Sequence, residues 1–285
     1  MKNTQILIVS GIVLITVLAG NACHRAKTDQ VVVNYVPPKN PKYQHIYTLL
    51  KEERQTLEKI QEFLSPFRLR WPVEISLTEC EGEADAFYGD GTITICYEYV
   101  DELWRTMPEG TTAGIEPIDA VVGPFFDTVL HEFAHALFDY LDPPILGREE
   151  DAADQVGALI YLQLDKAEAR RLITGTVYAY VKEVEDTDPP SLEELADEHG
   201  TAEQRRFNLL CMAYGADPEQ FAEVAAWGGL PEYRAEICVE EYENILYAFD
   251  TLIGPHIDQD LARRVYQKTW LPAETSPLLK REESN

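Results

Sequence analysis

The sequence predicts an α+β fold with a small mixed sheet in its first half and a mainly helical C-terminal half. Residues 73–78 and 85–97 alternate between apolar and polar side chains, which is typical of strands with one buried face. From about residue 124 onward, apolar residues recur at helical spacing, and helix start signals continue as far as residue 231. The chain therefore presents strands first and a long series of helices afterwards.

Local patterns in the first half predict individual elements. Apolar residues at helical spacing, with charges between them, predict a helix from about residue 43 to residue 65. Alternation predicts three strand segments, at 73–78, 85–88 and 92–97. The last two flank Gly89-Asp90-Gly91, and Asp-Gly between alternating apolar residues indicates a β-hairpin. A short helix at 98–107 and a loop rich in Gly, Thr and Pro at 108–118 complete this half.

Helices are predicted for most of the second half. Gly123-Pro124 is expected to open the first, because proline is tolerated at an early helical position, and Asp142-Pro143-Pro144 is expected to end it. A second helix is predicted after Gly147-Arg148, running to about 164, and Pro231 opens a long one that continues through 252. Three capping signals pair a side chain with Glu or Gln three residues later: Ser191 with Glu194, Thr201 with Gln204 and Asp217 with Gln220.

The N-terminal segment is typical of an export signal. Lys2 and the amino terminus give a positive start, and residues 6–20 form an apolar run of about fifteen, short for a bilayer span and typical of a signal-peptide core. Cleavage after Ala22 would leave Cys23 at the mature N-terminus, which resembles a bacterial lipoprotein with Cys23 as its lipid anchor. Gly20 stands where that motif has a Leu-like residue, so lipid attachment and an uncleaved anchor both stay open.

The sequence predicts one folded domain between two extensions. The predicted organisation is a signal peptide at 1–22, a proline-containing linker at 23–42, a domain at 43–256 and a polar tail at 257–285. Within the domain, the sheet and the first long helix would occupy 43–142, and the helical part would occupy 143–256. The expected location is the periplasm or the cell envelope.

Charge and cysteine content bear on partners and environment. Lys and Arg number 24 against 50 Asp and Glu, and the net charge of −26 disfavours binding to nucleic acid or to anionic lipid surfaces. Membrane contact is therefore expected only through an N-terminal anchor. Apart from Cys23 there are four cysteines, an even number that favours disulfides in an exported chain. We favour Cys80–Cys96 and Cys211–Cys238, which join segments near in sequence; four buried thiols are the alternative.

The chemistry-bearing residues are concentrated between 131 and 154. His131-Glu132-Phe133-Ala134-His135 is an HExxH motif on a predicted helix. Two histidines four residues apart lie on one helix face, one turn apart, so both imidazoles can bind one Zn²⁺. Glu132 is offset from them and can reach a metal-bound water as a general base. This pattern predicts one zinc ion per chain.

A third zinc ligand is expected from the next helix. Catalytic zinc takes three protein ligands and keeps one open position, and Glu150 is our candidate for the third. Asp154 lies one turn beyond Glu150 and can accept the other ring N–H of a ligand histidine. Because Glu149 and Asp151 flank Glu150, the choice of third ligand stays open by one residue.

HExxH followed by a helix bearing ExxxD is similar to the gluzincin metallopeptidases. More closely, residues 131–155, with GREEDAADQ at 147–155, resemble a bacterial family of unknown function described as metallopeptidases. The resemblance covers about 45–250 and implies a zincin-like domain, the zinc ligands named above, Glu132 as base and a peptide or protein substrate. The metzincin pattern is excluded, since Phe138 and Leu141 stand where it needs Gly and His. By analogy with zincins, the strand at 84–88 would be the edge that pairs with an extended peptide.

His199 is the candidate to stabilise the oxyanion of peptide hydrolysis, because it is a loop histidine outside the HExxH pair. The run HGTAEQRRFN at 199–208 also resembles a segment of the same family. Three tyrosines are alternatives for this role: Tyr178, Tyr180 and Tyr214.

Three other functions stay open. The chain could be an envelope protein that keeps zinc for structure, although Glu132 is superfluous in a structural site. It could be another zinc-dependent amide hydrolase of the deformylase type, but Cys80 lacks the local sequence of that family's third ligand. The HExxH motif could also be accidental in a structural domain. Oligomeric state is not predicted.

Overall fold

The computed structural model describes residues 30–112 and 114–271, and its fold is mixed α+β, as the sequence predicts. The strands are β1 (Val31–Tyr35), β2 (Val73–Thr78), β3 (Ala86–Gly89) and β4 (Thr92–Cys96). The helices are α1 (Gln44–Tyr47), α2 (Thr56–Leu64), α3 (Tyr97–Thr106), α4 (Asp119–Leu141), α5 (Glu149–Tyr161), α6 (Lys166–Asp186), α7 (Leu192–Leu195), α8 (Ala202–Ala216), α9 (Pro218–Trp227), α10 (Glu232–Leu252) and α11 (Gln259–Tyr266).

Two segments of the predicted organisation fall outside these residues. The signal peptide at 1–22, Cys23 and the first part of the linker lie before residue 30, and the end of the tail lies after residue 271. These predictions therefore stay predictions. Among the helices of 30–112 and 114–271, none has the length and apolar content needed to cross a bilayer.

The sheet is small and mixed, with the strand order β1-β2-β4-β3. β1, β2 and β4 run parallel, and β3 is antiparallel to β4 at the edge. The hairpin turn lies at the predicted position, where Asp90 (φ 49°) and Gly91 (φ 79°) both adopt the left-handed conformation that a tight hairpin favours. The central strands bury alternate apolar side chains at Ile75, Leu77, Ile93 and Ile95, which form the floor of the core.

The structure corrects the prediction of a linker up to residue 42. Residues 31–35 form β1, which pairs in parallel with β2, and both Val31 and Tyr35 are buried. The hydroxyl of Tyr35 also accepts a hydrogen bond from the backbone N–H of Leu57, 2.8 Å away. The strand was missed because its partner lies about forty residues away, whereas the nearby prolines suggest an extended tether.

The prediction of a polar tail after residue 256 is also wrong for the residues up to 271. Residues 259–266 form α11, whose Ala262, Val265 and Tyr266 are buried. The ring of Tyr266 packs against Phe63 of α2 with 4.9 Å between centroids. Four of its eight residues are polar or charged, and these three inward side chains are too few to reveal the helix by composition.

The single helix predicted at 43–65 is broken into pieces. A 3₁₀ turn, α1 and a π-helical turn at Thr48–Glu53 come first, and α2 follows. Gln55 separates them in the left-handed conformation (φ 51°), which stops a regular right-handed helix. The apolar spacing identified the buried face correctly but could not reveal this change of direction.

α4 begins at Asp119, not at the predicted Gly123-Pro124, so Pro124 lies inside the helix.

α4 packs closely on α6 because two glycines face the opposing backbone. A Cβ on Gly175 would lie 1.9 Å from the carbonyl oxygen of Asp119, and a Cβ on Gly123 would lie 2.5 Å from that of Leu172. α4, which carries the HExxH motif, is therefore held tightly in the core.

Cross-links and caps follow the sequence signals. The structure joins Cys80 to Cys96, between the loop after β2 and the end of β4, and Cys211 to Cys238, between α8 and α10. Reciprocal capping boxes are present at Ser191 and Thr201. Two disulfides indicate an oxidising environment, as found outside the cytosol.

We predict that Gly175→Ala destabilises the protein although alanine favours helices. The added methyl group would clash with the α4 backbone at Asp119, and overpacking of this kind costs about 1–3 kcal/mol or more. Gly157→Ala is the matched control, because its Cβ would meet its nearest neighbours at 3.5 Å, an ordinary contact. Urea unfolding of the oxidised proteins should show a lower midpoint for Gly175→Ala only; equal midpoints would contradict the close α4–α6 contact.

Candidate metal centre

The HExxH residues lie on the buried middle of α4. The His131 side chain is 5% exposed, whereas that of His135, one turn later, is 14% exposed. Their Nε2 atoms are 3.1 Å apart and therefore point to one place. Glu132 is also buried, at 7% exposure. The helix thus delivers two imidazoles to a partly open site and a carboxylate beside it.

α5 brings Glu150 to the same point. Its Oε2 lies 2.9 Å from Nε2 of His131 and 3.2 Å from Nε2 of His135. The hydrogen bond from His131 is the main cause that lowers the pKa of Glu150, to about 2. The neighbouring acids have other partners: Glu149 Oε1 lies 2.9 Å from Nδ1 of His135, and Asp151 pairs with Arg148. Of the three adjacent acids, Glu150 is therefore the one that lies near both Nε2 atoms.

Asp154 lies behind His131. Its Oδ1 is 2.7 Å from Nδ1 of His131, so the ring is held with Nε2 directed into the site. Burial opposes ionisation of Asp154, but the charge of Arg205 and the hydrogen bond from His131 hold its pKa well below its usual range.

Arg205 of α8 anchors Asp154 from the other side. Its Nε and Nη2 donate to the two carboxylate oxygens of Asp154 at 2.9 and 2.7 Å, a bidentate pair. The guanidinium also lies over the ring of Tyr180, 5.5 Å from its centroid. Sequence reasoning missed Arg205: it lies in the 199–208 run, but nothing in the spacing separates it from Arg206.

Asp127 is a further acidic group that the sequence did not indicate. It lies one turn before His131 on α4 and accepts a hydrogen bond from the hydroxyl of Tyr161, 3.1 Å away. Burial, followed by the negative charge of Asp154, raises the pKa of Asp127 to about 6. It adds a second carboxylate behind the site, on the side where Arg205 supplies the positive charge.

His199 comes to the centre from the loop before α8. Its Nε2 lies 2.9 Å from Oε2 of Glu150, and its ring stacks near that of His131 at 6.1 Å between centroids. Asp197 holds the ring, with Oδ1 3.2 Å from Nδ1 and 2.8 Å from the backbone N of His199. The His199 side chain is 47% exposed, so it stands at the mouth of the site.

The tyrosines considered as alternatives lie elsewhere. Tyr180 packs against Arg205, behind the histidines. Tyr178 lines a separate cavity with Pro108 and Trp227, and Tyr214 packs with the core. Of the four residues considered for this role, His199 is the one with a described contact to Glu150.

Glu132 connects the centre to the edge of the sheet. Burial raises the pKa of Glu132, while the two histidines and a hydrogen bond from the backbone of Tyr88 lower it. Tyr88 belongs to β3, the edge strand that packs against α4. In the antiparallel β3–β4 pair, the N–H of Cys96 donates a hydrogen bond to the carbonyl of Asp85. Because the backbone groups of successive residues point alternately toward and away from the neighbouring strand, those of Ala86 and Tyr88 point away from the sheet.

The donor set fits zinc. His131, His135 and Glu150 each offer one ligand atom, and these atoms all lie within 4.8 Å of one another. A tetrahedral Zn²⁺ with bonds of about 2.0–2.1 Å separates its ligand atoms by about 3.3 Å, close to the distances above. Both histidines also have a carboxylate on Nδ1, the arrangement that orients metal-binding imidazoles.

Comparison with known proteins supports this chemistry at the level of a family. Residues 35–253 match the model of a protein family described as "Putative metallopeptidase". The searches of curated proteins and of solved structures return no match.

We predict that zinc binding to this centre is strongly pH-dependent. Burial alone would lower the pKa of His131, but the hydrogen bonds to Asp154 and Glu150 raise it to about 9. In the metal-free protein His131 is therefore protonated at pH 7, and zinc must displace that proton. The association constant should rise about tenfold per pH unit between pH 6 and pH 8.

Competition with a chromophoric chelator, corrected for the chelator's own protonation, measures this slope. Asp154→Asn is the informative variant, because loss of the anion lets the pKa of His131 fall and should flatten the slope above pH 7. The same variant should weaken zinc binding about 10–100-fold. An association constant that does not change with pH in the unmodified protein would contradict the assignment of His131 as protonated in the metal-free protein.

Proposed function

The chain belongs to the family described as "Putative metallopeptidase", and from this premise we propose that it is a zinc-dependent metallopeptidase that hydrolyses peptide bonds. The observation that carries the proposal is the convergence of His131, His135 and Glu150 within 4.8 Å, with Glu132 buried beside them. His131, His135 and Glu150 would hold one Zn²⁺ per chain, and Asp154 would orient His131.

The chemistry divides between the metal and the side chains. Zinc supplies an electrophile and a bound water of lowered pKa, about 7 instead of 15.7. Glu132 accepts the proton of the attacking water and passes it to the leaving nitrogen. Its raised pKa, caused mainly by burial, suits a group that must both take and release a proton.

His199 is proposed to donate a hydrogen bond to the carbonyl oxygen as negative charge develops there. Its half-exposed side chain lies at the mouth of the site, where a substrate would approach. Asp197 would act as the positioning residue, since its contact with Nδ1 directs Nε2 toward the centre.

The edge strand β3 is proposed to bind the substrate. The outward backbone groups of Ala86 and the outward carbonyl of Tyr88 can pair with an extended peptide, which gives affinity without a demand for particular side chains. Tyr88 also contacts Glu132, so a peptide on this edge would lie next to the base. The exposed Phe87 and the hydroxyl of Tyr88, bonded to Asp139, would border such a peptide.

The rival function is a zinc site kept for structure. It is favoured by one observation, the 2.9 Å contact of His199 Nε2 with Glu150, because His199 as a fourth ligand would close the site. The two roles of His199 make different predictions for metal content.

The proposed location is outside the cytosol. The two disulfides support an oxidising compartment. Export through the signal peptide at 1–22, with attachment through Cys23, remains our proposal for how the protein reaches and stays in the cell envelope.

We predict that Glu132→Gln retains zinc and loses hydrolysis by about 10²–10⁴-fold, the contribution of a positioned general base. The assay is zinc-reconstituted protein with a mixed peptide library, read by mass spectrometry, with a chelator-treated sample as blank. Glu193→Gln, a surface change on α7, is the matched control and should retain full activity. Normal turnover by Glu132→Gln would contradict its role as base.

His135→Ala and His199→Ala together separate the two functions. His135→Ala should abolish stoichiometric zinc in either case. His199→Ala should retain one zinc per chain with kcat reduced about 10²–10³-fold if His199 stabilises the oxyanion. Loss of zinc from His199→Ala, measured by metal analysis after dialysis, would instead identify a closed structural site.

A further inference from the structure

A second cavity of the domain is apolar and lies apart from the metal centre. Its volume is about 450 Å³, within the range of small-molecule sites. α2, α3, α4, the segment before α2 and the chain after α11 surround it. Its walls are formed by apolar side chains such as Leu49, Leu50, Val100, Val121, Phe125 and Trp270.

A smaller apolar space borders this cavity. A space of about 80 Å³ shares Val122, Phe125, Trp270 and Leu271 with it and extends toward Phe63 and Leu172. The two adjacent spaces, together called the chamber, suit a chain-like ligand better than a compact one.

The charges around the chamber oppose the charge of the whole protein. Arg54, Lys59 and Lys268 line it, and the single acid in its lining, Glu62, pairs with Lys268. The chain as a whole carries −26. Three cations and one acid give the lining a net positive charge, which favours a ligand with one negative end.

From these features we propose that the chamber binds a long-chain fatty acid, with its alkyl chain in the apolar space and its carboxylate near Lys59. A peptide is less suitable, because its buried N–H and C=O groups would need partners and the walls supply mainly apolar atoms. A neutral lipid would form no ion pair with Lys59.

The chamber is independent of the proposed catalysis. None of His131, Glu132, His135, Glu150 or His199 lines it. Phe125 precedes His131 by six residues, which places it about 9 Å along the axis of α4 and roughly 120° around it. The binding measurement therefore needs neither zinc nor turnover, and its outcome is separate from that of the peptidase tests.

Calorimetric titration of the full chain with saturated fatty acids below their micelle concentrations tests the proposal. The Kd should fall about fourfold for each added methylene from octanoate to dodecanoate. Dodecanol, which lacks the charge, should bind at least tenfold more weakly than dodecanoate. Absence of dodecanoate binding would overturn the proposal.

Two variants locate the ligand. Lys59→Glu, an exposed change that leaves the core intact, should weaken dodecanoate binding at least tenfold and leave dodecanol unaffected, whereas Lys39→Glu should change neither. Val122→Trp should block both ligands by filling the chamber. Equal affinity of the two ligands, or no response to Lys59→Glu, would indicate nonspecific apolar adsorption and overturn the assignment.

A third variant addresses the chain's own C-terminus. Leu271 lines the chamber, so a chain ending at that residue removes any competing segment that follows. Unchanged Kd values in the shortened chain support a fatty-acid site. Binding that appears only after shortening would identify the chamber as a site for the protein's own C-terminal residues and overturn the proposal.

Discussion

The geometry of the metal centre depends on the position of one atom, Oε2 of Glu150. It lies within hydrogen-bonding distance of His131 and His135 from α4 and of His199 from the loop before α8. Three segments distant in sequence must therefore pack correctly for this contact set to exist. α5 packs directly on α4, since a Cβ added at Gly157 would meet Leu130 at 3.5 Å, an ordinary contact. The disulfide between Cys211 and Cys238 ties α8 to α10 and so restrains α8, the third of these elements.

Electrostatics explains how such a site persists in an acidic protein. Five carboxylates lie in or near the centre: Asp127, Glu132, Glu149, Glu150 and Asp154. Arg205 and the protonated His131 compensate part of this charge in the metal-free chain, which is why the pKa of His131 is raised while that of Glu150 is lowered. A divalent cation would replace the proton on His131 and supply a further positive charge. The surrounding negative field also raises the local cation concentration.

Local chemistry predicted local structure well. β2 has the predicted bounds, the turn at Asp90-Gly91 is where its residues require it, and the caps at Ser191 and Thr201 form as the spacing indicates. Each of these depends on residues within a few positions of one another. β1 was missed because its pairing with β2 spans about forty residues.

The site shows the same division between local and non-local information. HExxH could be read from sequence because one helix fixes the relation of its two imidazoles. Selection of Glu150 over Glu149 depends on how α5 is rotated about its axis against α4, which no spacing within α5 encodes. Arg205 depends on the docking of α8 and so had no sequence signal beyond its place in the 199–208 run.

The burial of Glu132 is the strongest physical argument for catalysis over a structural metal site. The residue is 7% exposed, and a buried carboxylate without full compensation costs several kcal/mol. A zinc ion held for structure requires only its ligands, so a glutamine or leucine at this position would serve the fold at least as well. The backbone of Tyr88 lies against the Glu132 carboxylate instead of a dedicated salt-bridge partner. This contact places the acid beside β3, where the proposed peptide substrate would pair, and the proposed proton transfer would account for its burial.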